Sequence, residues 1–293
     1  MTKRMIWLVF FLCAVLAAGG AAAESVPELP MDLSPGMPLR ESCYTDENHY
    51  VDPTIEMNVT TGDENGALWW MAEVTIGHPS QLRVMPASKF SNSVRAPGAR
   101  LSQRANAVLA SNGDSFCMDV SKKGSYVLRM GELYSEHLTG RTDLLLIDEA
   151  GDFHVVRKAR EGDVPKEIDG KRLLHALCFG PVLVEDGQVL TVEPDDFMIT
   201  EKKVARMALC QMDTLRYAVV CCSCPSVNST GMTLQEFADL LGKLGVRWGY
   251  NLDGGNSTMM FTGKRRINYN SSTRDISDIV YFASAWPGAE GEP

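Results

Sequence analysis

The stretch Tyr250-Asn251-Leu252-Asp253-Gly254-Gly255-Asn256-Ser257-Thr258-Met259 runs an apolar strand into a carboxylate, two glycines and three small polar side chains. A backbone built this way brings a charged group to the lip of a pocket and leaves room beside it for a ligand. An Asp-Gly pair between two apolar runs is also an ordinary hairpin signal. A simple turn, however, needs neither Asn251 before the aspartate nor Asn256, Ser257 and Thr258 after it. The whole cluster therefore strengthens the case for a site.

The flanks supply the local geometry. Upstream, Thr233-Leu234-Gln235-Glu236 has the spacing of a capping box. Leu234, Phe237, Ala238, Leu241 and Leu244 follow at helical spacing, and Gly245 suits the position just past a helix end. Val246, Trp248, Tyr250 and Leu252 then alternate with Arg247, Gly249, Asn251 and Asp253, which is the period of a strand. Met259-Met260-Phe261 resumes an apolar run, and Thr262-Gly263-Lys264 predicts a further hairpin. Asp253 is thus expected at the C-terminal end of a strand that follows a helix.

The N-terminus carries a targeting pattern: Lys3 and Arg4, an apolar run from Ile6 to Ala18, then Ala21-Ala22-Ala23 before Glu24. The apolar run is short for a membrane span, so residues 1–23 are expected to be a cleaved signal peptide, an uncleaved N-terminal anchor being the alternative, and the mature protein to be secreted or held in the cell envelope without a stable span. Cleavage leaves 270 residues, and the formal charge moves from −9 to −11 because Lys3 and Arg4 leave with it. Such a surface argues against nucleic acid as a partner, and an anionic substrate would need a local basic site. Eight cysteines become seven without Cys13. In an oxidising compartment some of these are expected to form disulfides, with an odd one left over. A zinc site at Cys221-Cys222-Ser223-Cys224 lacks a second ligand pair at a suitable spacing.

Residues 24–100 read as a Pro-rich leader followed by a mixed α/β segment, residues 101–286 as the main domain and residues 287–293 as a tail. The leader could be disordered, tether-like or packed on the domain. Short strand candidates recur at Ala67–Ile76, Ala107–Ala110, Tyr126–Leu128, Leu144–Ile147, Val182–Val184, Ala205–Leu209 and Tyr217–Cys221, with a final strand in Ile279–Trp286. The strong helix near Thr233 stands almost alone. The expected class is α+β: a mostly antiparallel mixed sheet with few flanking helices in a single catalytic-type domain.

The order of these short motifs resembles the phosphodiester glycosidase family, which includes N-acetylglucosamine-1-phosphodiester α-N-acetylglucosaminidase and bacterial exopolysaccharide-associated members. The resemblance covers roughly residues 100–284. It rests on seven elements in the family's order: Asn112-Gly113-Asp114-Ser115-Phe116; Gly124 with Arg129, Gly131 and Tyr134; Phe179-Gly180-Pro181 with Asp186-Gly187; Arg206; Gly231 to Glu236; Asn251-Leu252-Asp253-Gly254-Gly255; and Arg274 to Asp278. Two departures stand out. Cys210 replaces a glycine of the family's pattern, and Cys222-Ser223-Cys224 stands where many relatives carry Asp-Gly-Arg.

The resemblance implies hydrolysis between a sugar's anomeric carbon and a phosphodiester oxygen in a phosphorylated glycan or exopolysaccharide. The leaving group is then a phosphate monoester, whose second pKa is about 6. It departs without the strong general acid that ordinary glycosidases supply from one of two carboxylates. A cationic clamp on the phosphate matters more, and arginine suits it. Asp253 is the first candidate for the catalytic carboxylate, Asp114 the second, and Arg206 the clamp. Arg129 and Arg274 are further candidates, read first as structural and only then as catalytic, while Arg206 could equally be a sheet-face salt bridge and Asp114 a cap on its turn. Asn112, Asn251 and Asn256 could bind sugar hydroxyls or an acetamido group. Gly113, Gly254 and Gly255 could bring backbone amides to the phosphate, while Ser257 and Thr258 complete the loop. No cofactor is expected; a divalent cation between Asp253 and Asp114 is the alternative. Two other readings stay open: a non-catalytic glycan- or wall-binding protein, and a metal-dependent phosphodiesterase.

Overall fold

The computed structural model describes residues 26–90, 94–115, 125–195, 198–226 and 228–288. The signal-peptide expectation, Phe116, Cys117 and Gly124 lie outside them. The N-terminal part is a meander: β1 (Tyr44–Asp46), β2 (His49–Asp52), β3 (Ile55–Glu64) and β4 (Ala67–Ile76), then β5 (Leu82–Pro86). Helix α1 (Gly98–Arg104) leads into β6 (Ala107–Asn112). The middle comprises β7 (Ser125–Arg129), β8 (Glu132–His137), β9 (Leu144–Asp148), β10 (Phe153–Val156), β11 (Glu167–Ile168) and β12 (Lys171–Leu177). After β13 (Val182–Glu185), β14 (Gln188–Val189), β15 (Arg206–Asp213) and β16 (Arg216–Cys222) come helix α2 (Leu234–Lys243) and β17 (Trp248–Leu252). A hairpin of β18 (Met260–Thr262) and β19 (Arg265–Arg266) precedes the last strand, β20 (Asp278–Ala283).

These strands form three sheets: β1-β2-β3-β4-β16-β15-β17-β13-β14, β10-β9-β12-β7-β8 with β11 on β12, and β19-β18-β6-β20-β5. Every pairing is antiparallel. With two helices among the described residues, the class is α+β as expected. The segment before residue 100 is woven into these sheets: β4 pairs with β16 along its length, and β5 with β20.

Local chemistry accounts for the elements around the site. Thr233 Oγ1 accepts from the Glu236 amide at 3.2 Å, and the Glu236 carboxylate accepts from the Thr233 amide at 2.8 Å, closing the capping box of α2. Its apolar face buries Leu234, Phe237, Ala238, Leu240 and Leu241 against Val184, Ala208, Cys210, Val220 and Cys222 on one face of the nine-stranded sheet. Phe237 is fully buried there, so truncating it to alanine would cost about 3–5 kcal/mol. The opposite face contributes Met207, Leu209, Val219 and Leu252 to a core shared by all three sheets, with Val84, Val108 and Val280 from one and Leu145 and Ile147 from another. Helix α1 was not foreseen. It opens at Pro97-Gly98 without a side-chain cap and spans seven residues, too short for periodicity to reveal.

The leader packs on the domain. Leu29 is buried, and Arg83 donates to the carbonyls of Pro30, Asp32 and Ser34. Gly36 and Met37 donate to Ala105 and Ser284, at the pole where β6 begins and β20 ends. The opposite pole, where β6 and β17 end and β20 begins, is formed by Asn112, Asp253 and Asp278. Among the described residues no disulfide is shown: Cys43, Cys210, Cys221, Cys222 and Cys224 are free thiols, of which Cys210, Cys221 and Cys222 are buried as small apolar groups in the sheet, while Cys117 lies outside the described residues. No helix of the described residues is long and apolar enough to cross a membrane.

Candidate active site

Asp253 leaves the end of β17 and is held by two neighbours. Ser257 Oγ donates to its Oδ2 at 2.6 Å, and Arg274 Nη2 donates to both carboxylate oxygens at 3.2 and 3.1 Å. Arg274 Nε donates to Ser257 Oγ at 2.7 Å, closing a three-residue ring. Gly254 lies so close to the β15 entry that a Cβ there would come within 2.7 Å of the Ala205 carbonyl, which is why the chain turns on glycine. The Asp253 carbonyl in turn accepts from Asn112 Nδ2 at 2.7 Å, while Asn112 Oδ1 accepts from the Met259 amide at 3.2 Å. The fully buried Asn112 therefore ties the start of the Asp253 loop to its end, across 141 residues of chain.

A second carboxylate–guanidinium group lies beneath. Asp114 Oδ2 accepts from Arg129 Nη2 at 2.7 Å, and Oδ1 accepts from the Cys178 amide at 2.7 Å. Arg129 Nη2 also reaches Asp278 Oδ2 at 3.4 Å, and Nη1 donates to the Leu128 and Ala176 carbonyls. Burial would lower the arginine's pKa, but the two carboxylates raise it. Burial raises the Asp114 carboxyl despite Arg129. It pushes Asp278 up to about 7, with Arg129 opposing and Asp114 adding to the rise. Close by, burial and the Arg129 charge hold His175 down at about 3, so it is neutral.

The predicted residues thus divide. Asp253, Ser257, Arg274 and Asn112 converge at one pole, with Asn256 exposed beside them. Asn251 faces the neighbouring loop: its Nδ2 donates to the Gly180 carbonyl at 2.7 Å and its amide to the Pro181 carbonyl at 3.1 Å. The Gly113 and Gly255 amides donate to the Asp278 and Ala205 carbonyls, so neither points at an anion. Thr258 is buried, its carbonyl held by Asn268. Arg206 does not join the group. Its guanidinium donates to the carbonyls of Met198, Ile199, Thr200, Lys202 and Met232. It pairs across the strands with Cys222 and shares the α2 face of the sheet. Burial lowers its pKa to about 10. The expected clamp on a phosphate is therefore a clamp on the 198–202 loop, and the arginine beside the catalytic candidate is Arg274.

Asp278, which entered the sequence reading only as the end of the Arg274–Asp278 motif and was given no role, adjoins the site. Its signal was a carboxylate opening an otherwise apolar strand, Asp278-Ile279-Val280-Tyr281-Phe282-Ala283. Asp253 and Asp114 each face a guanidinium, Arg274 and Arg129 respectively. A cavity of about 60 Å³ lined by Glu64, Lys203, Glu236 and Lys243 lies against α2, away from these carboxylates, and pairs its own charges.

A family model described as phosphodiester glycosidase matches residues 105–283, more than half of the chain. No curated protein matches it significantly. Three solved structures share the fold. The zebrafish N-acetylglucosamine-1-phosphodiester α-N-acetylglucosaminidase catalytic domain, auto-inhibited by its pro-peptide, is 16% identical with a TM-score of 0.64, covering 85% of this chain and 86% of its own. A hypothetical protein from Synechocystis is 14% identical with a TM-score of 0.56 over 78% of this chain, which spans 62% of that protein's length. A candidate exported protein from Burkholderia pseudomallei is 13% identical with a TM-score of 0.51, covering 74% of each chain.

Proposed function

This chain belongs to the phosphodiester glycosidase family, and we propose that it hydrolyses the glycosidic bond of a sugar-1-phosphodiester carried on a phosphorylated glycan such as an exopolysaccharide. The observation that carries this reading is the Asp253–Ser257–Arg274 ring at the lip of the sheets, in which a carboxylate and a partly exposed guanidinium face each other. Arg274 exchanges part of its contact with Asp253 for the substrate phosphate, placing positive charge where the departing monoester gathers negative charge. Asp253 then faces the anomeric centre, where it stabilises the oxocarbenium-like transition state or activates water. Ser257 donates to the carboxylate and accepts from the arginine, so it orients both and is not poised as a nucleophile. Asn112 fixes the backbone of Asp253 from below.

The same reading places the mature protein outside the cytoplasm, on the strength of the targeting pattern at residues 3–23. It assigns no resident cation, because guanidinium groups already occupy the carboxylates. The decisive assay is release of free sugar from sugar-α-1-phospho-sugar diesters by purified mature protein, in labelled water. Label entering the sugar marks carbon–oxygen cleavage. Asp253→Asn should lower kcat by about 10³-fold or more with an unchanged melting curve. Label entering the phosphate would identify a phosphodiesterase. Binding of phosphorylated glycans without turnover, indifferent to Asp253→Asn, would mark a binding protein.

A further inference from the structure

We propose that Asp278 is a positioning residue for this hydrolysis: together with Arg129 and Asp114 it forms a sealed three-group array, holding one proton between its two carboxyls, that sets the Asn112–Asp114 turn against Asp253. The kinetic consequence rests on the function proposed above; the proton itself does not.

The array is closed to water. Arg129 is 0% exposed, Asp278 1% and Asp114 4%. With both carboxyls ionised, two negative charges face one positive charge and the array carries a net charge of −1 with no solvent to screen it. One bound proton makes it neutral. The geometry decides which carboxyl holds that proton. Asp114 has two short charge-stabilising contacts, Arg129 and the Cys178 amide, each at 2.7 Å. Asp278 has a long contact to Arg129, at 3.4 Å, and only a weak approach from the Asp114 amide, the least of the influences on its carboxyl, and its Oδ1 is buried without a well-formed hydrogen bond. The proton therefore resides on Asp278. The other groups around it leave this balance alone. Pro86, its partner on β5, is uncharged. His175 on β12 is neutral. The Cys178 thiol just past β12 is pushed up to about 12, chiefly by burial, and stays protonated.

The array reaches the catalytic candidate through the turn. The Gly113 amide donates to the Asp278 carbonyl at 3.1 Å, and a Cβ at Gly113 would lie 2.2 Å from Asp278 Oδ1. Turn and carboxyl are thus in contact. Any repulsion between ionised Asp278 and Asp114 acts on this turn, whose first residue, Asn112, holds the Asp253 carbonyl. Deprotonation loosens the support of Asp253 without touching substrate.

The test is Asp278→Asn, an isostere of the protonated carboxyl that cannot ionise, followed through stability and kinetics across pH 4–9. The carboxyl's folded pKa, about 7, lies above its unfolded value of about 3.9. Its contribution to stability is therefore full below about pH 4 and lost as pH rises through about 7. Wild type should lose stability across that window and the variant should lack this slope. In kinetics, wild-type kcat should fall about tenfold per pH unit above the midpoint while KM stays level; the variant should match the low-pH wild-type kcat within about twofold and hold it past that midpoint. An unchanged stability slope, or an alkaline limb that persists in Asp278→Asn, overturns the proposal. A flattened slope without any detectable turnover would retain the shared proton and fault the assigned reaction. Should the variant fail to fold, carboxyl NMR titration of wild type decides: one aspartate releasing its proton near pH 7 supports the array, and none above pH 5 removes it.

Discussion

Two aspartate–arginine pairs sit at the same pole of this molecule and differ in access. Arg129 against Asp114 is 0% exposed, whereas the Arg274 side chain against Asp253 is 34% exposed. Buried, the pair costs desolvation that its attraction barely repays, and removing one partner strands a charge. At the lip, Asp253 is also buried but its arginine is partly exposed, so that pair is better screened on the guanidinium side and contributes less to stability. Equal chemistry at unequal depth therefore separates a strut from the pair we propose to work on substrate.

Four experiments would break or sharpen this contrast. The largest effect is expected from Arg129→Ala, which strands Asp114 and Asp278 and should cost about 3–5 kcal/mol of stability by denaturant titration; a loss below about 1 kcal/mol would erase the distinction. Arg274→Ala should instead leave stability within about 1 kcal/mol and lower kcat/KM about 100-fold, and a normal kcat/KM would remove it from the working pair. Arg206→Met leaves several carbonyls of the 198–202 loop without a donor, so a stability loss of about 2 kcal/mol is expected, with kcat/KM of the folded protein unchanged; a catalytic defect would return Arg206 to the site. The smallest effect is none at all: extensive chelation should leave turnover intact, and lost activity restored by a divalent cation would overturn the metal-free assignment.

What the sequence disclosed follows the range of the interactions. The capping box of α2, the alternation of β17 and the turn at Gly263 are written within ten residues, and the structure contains each. Asn112, Asp253, Ser257 and Arg274 were named as candidates from their motifs, and they meet because β6, β17 and β20 share a pole. Which arginine meets which aspartate was not legible. Arg206 and Asp253 stand at the ends of adjacent paired strands, yet Arg206 turns toward α2 and bonds a loop whose carbonyls have no sequence signature. Asp278 was quoted in a motif but given no role, because its partners lie 149 and 164 residues away. The Cys222-Ser223-Cys224 departure proves to be an anchoring point: Ser223 Oγ donates to the Tyr269 carbonyl at 3.1 Å, and the Cys224 thiol lies 3.2 Å from Ser271 Oγ. It braces the loop that ends in Arg274.

The leader held by Arg83 gives the molecule a direction. Its contacts with Ala105, Ser284 and the Arg83 guanidinium lie at the far end of β20 from Asp278, a strand of six residues spanning about 17 Å. The leader therefore joins the domain at the pole opposite Asp253, so that whatever precedes residue 26 enters from the side away from the Asp253–Arg274 pair.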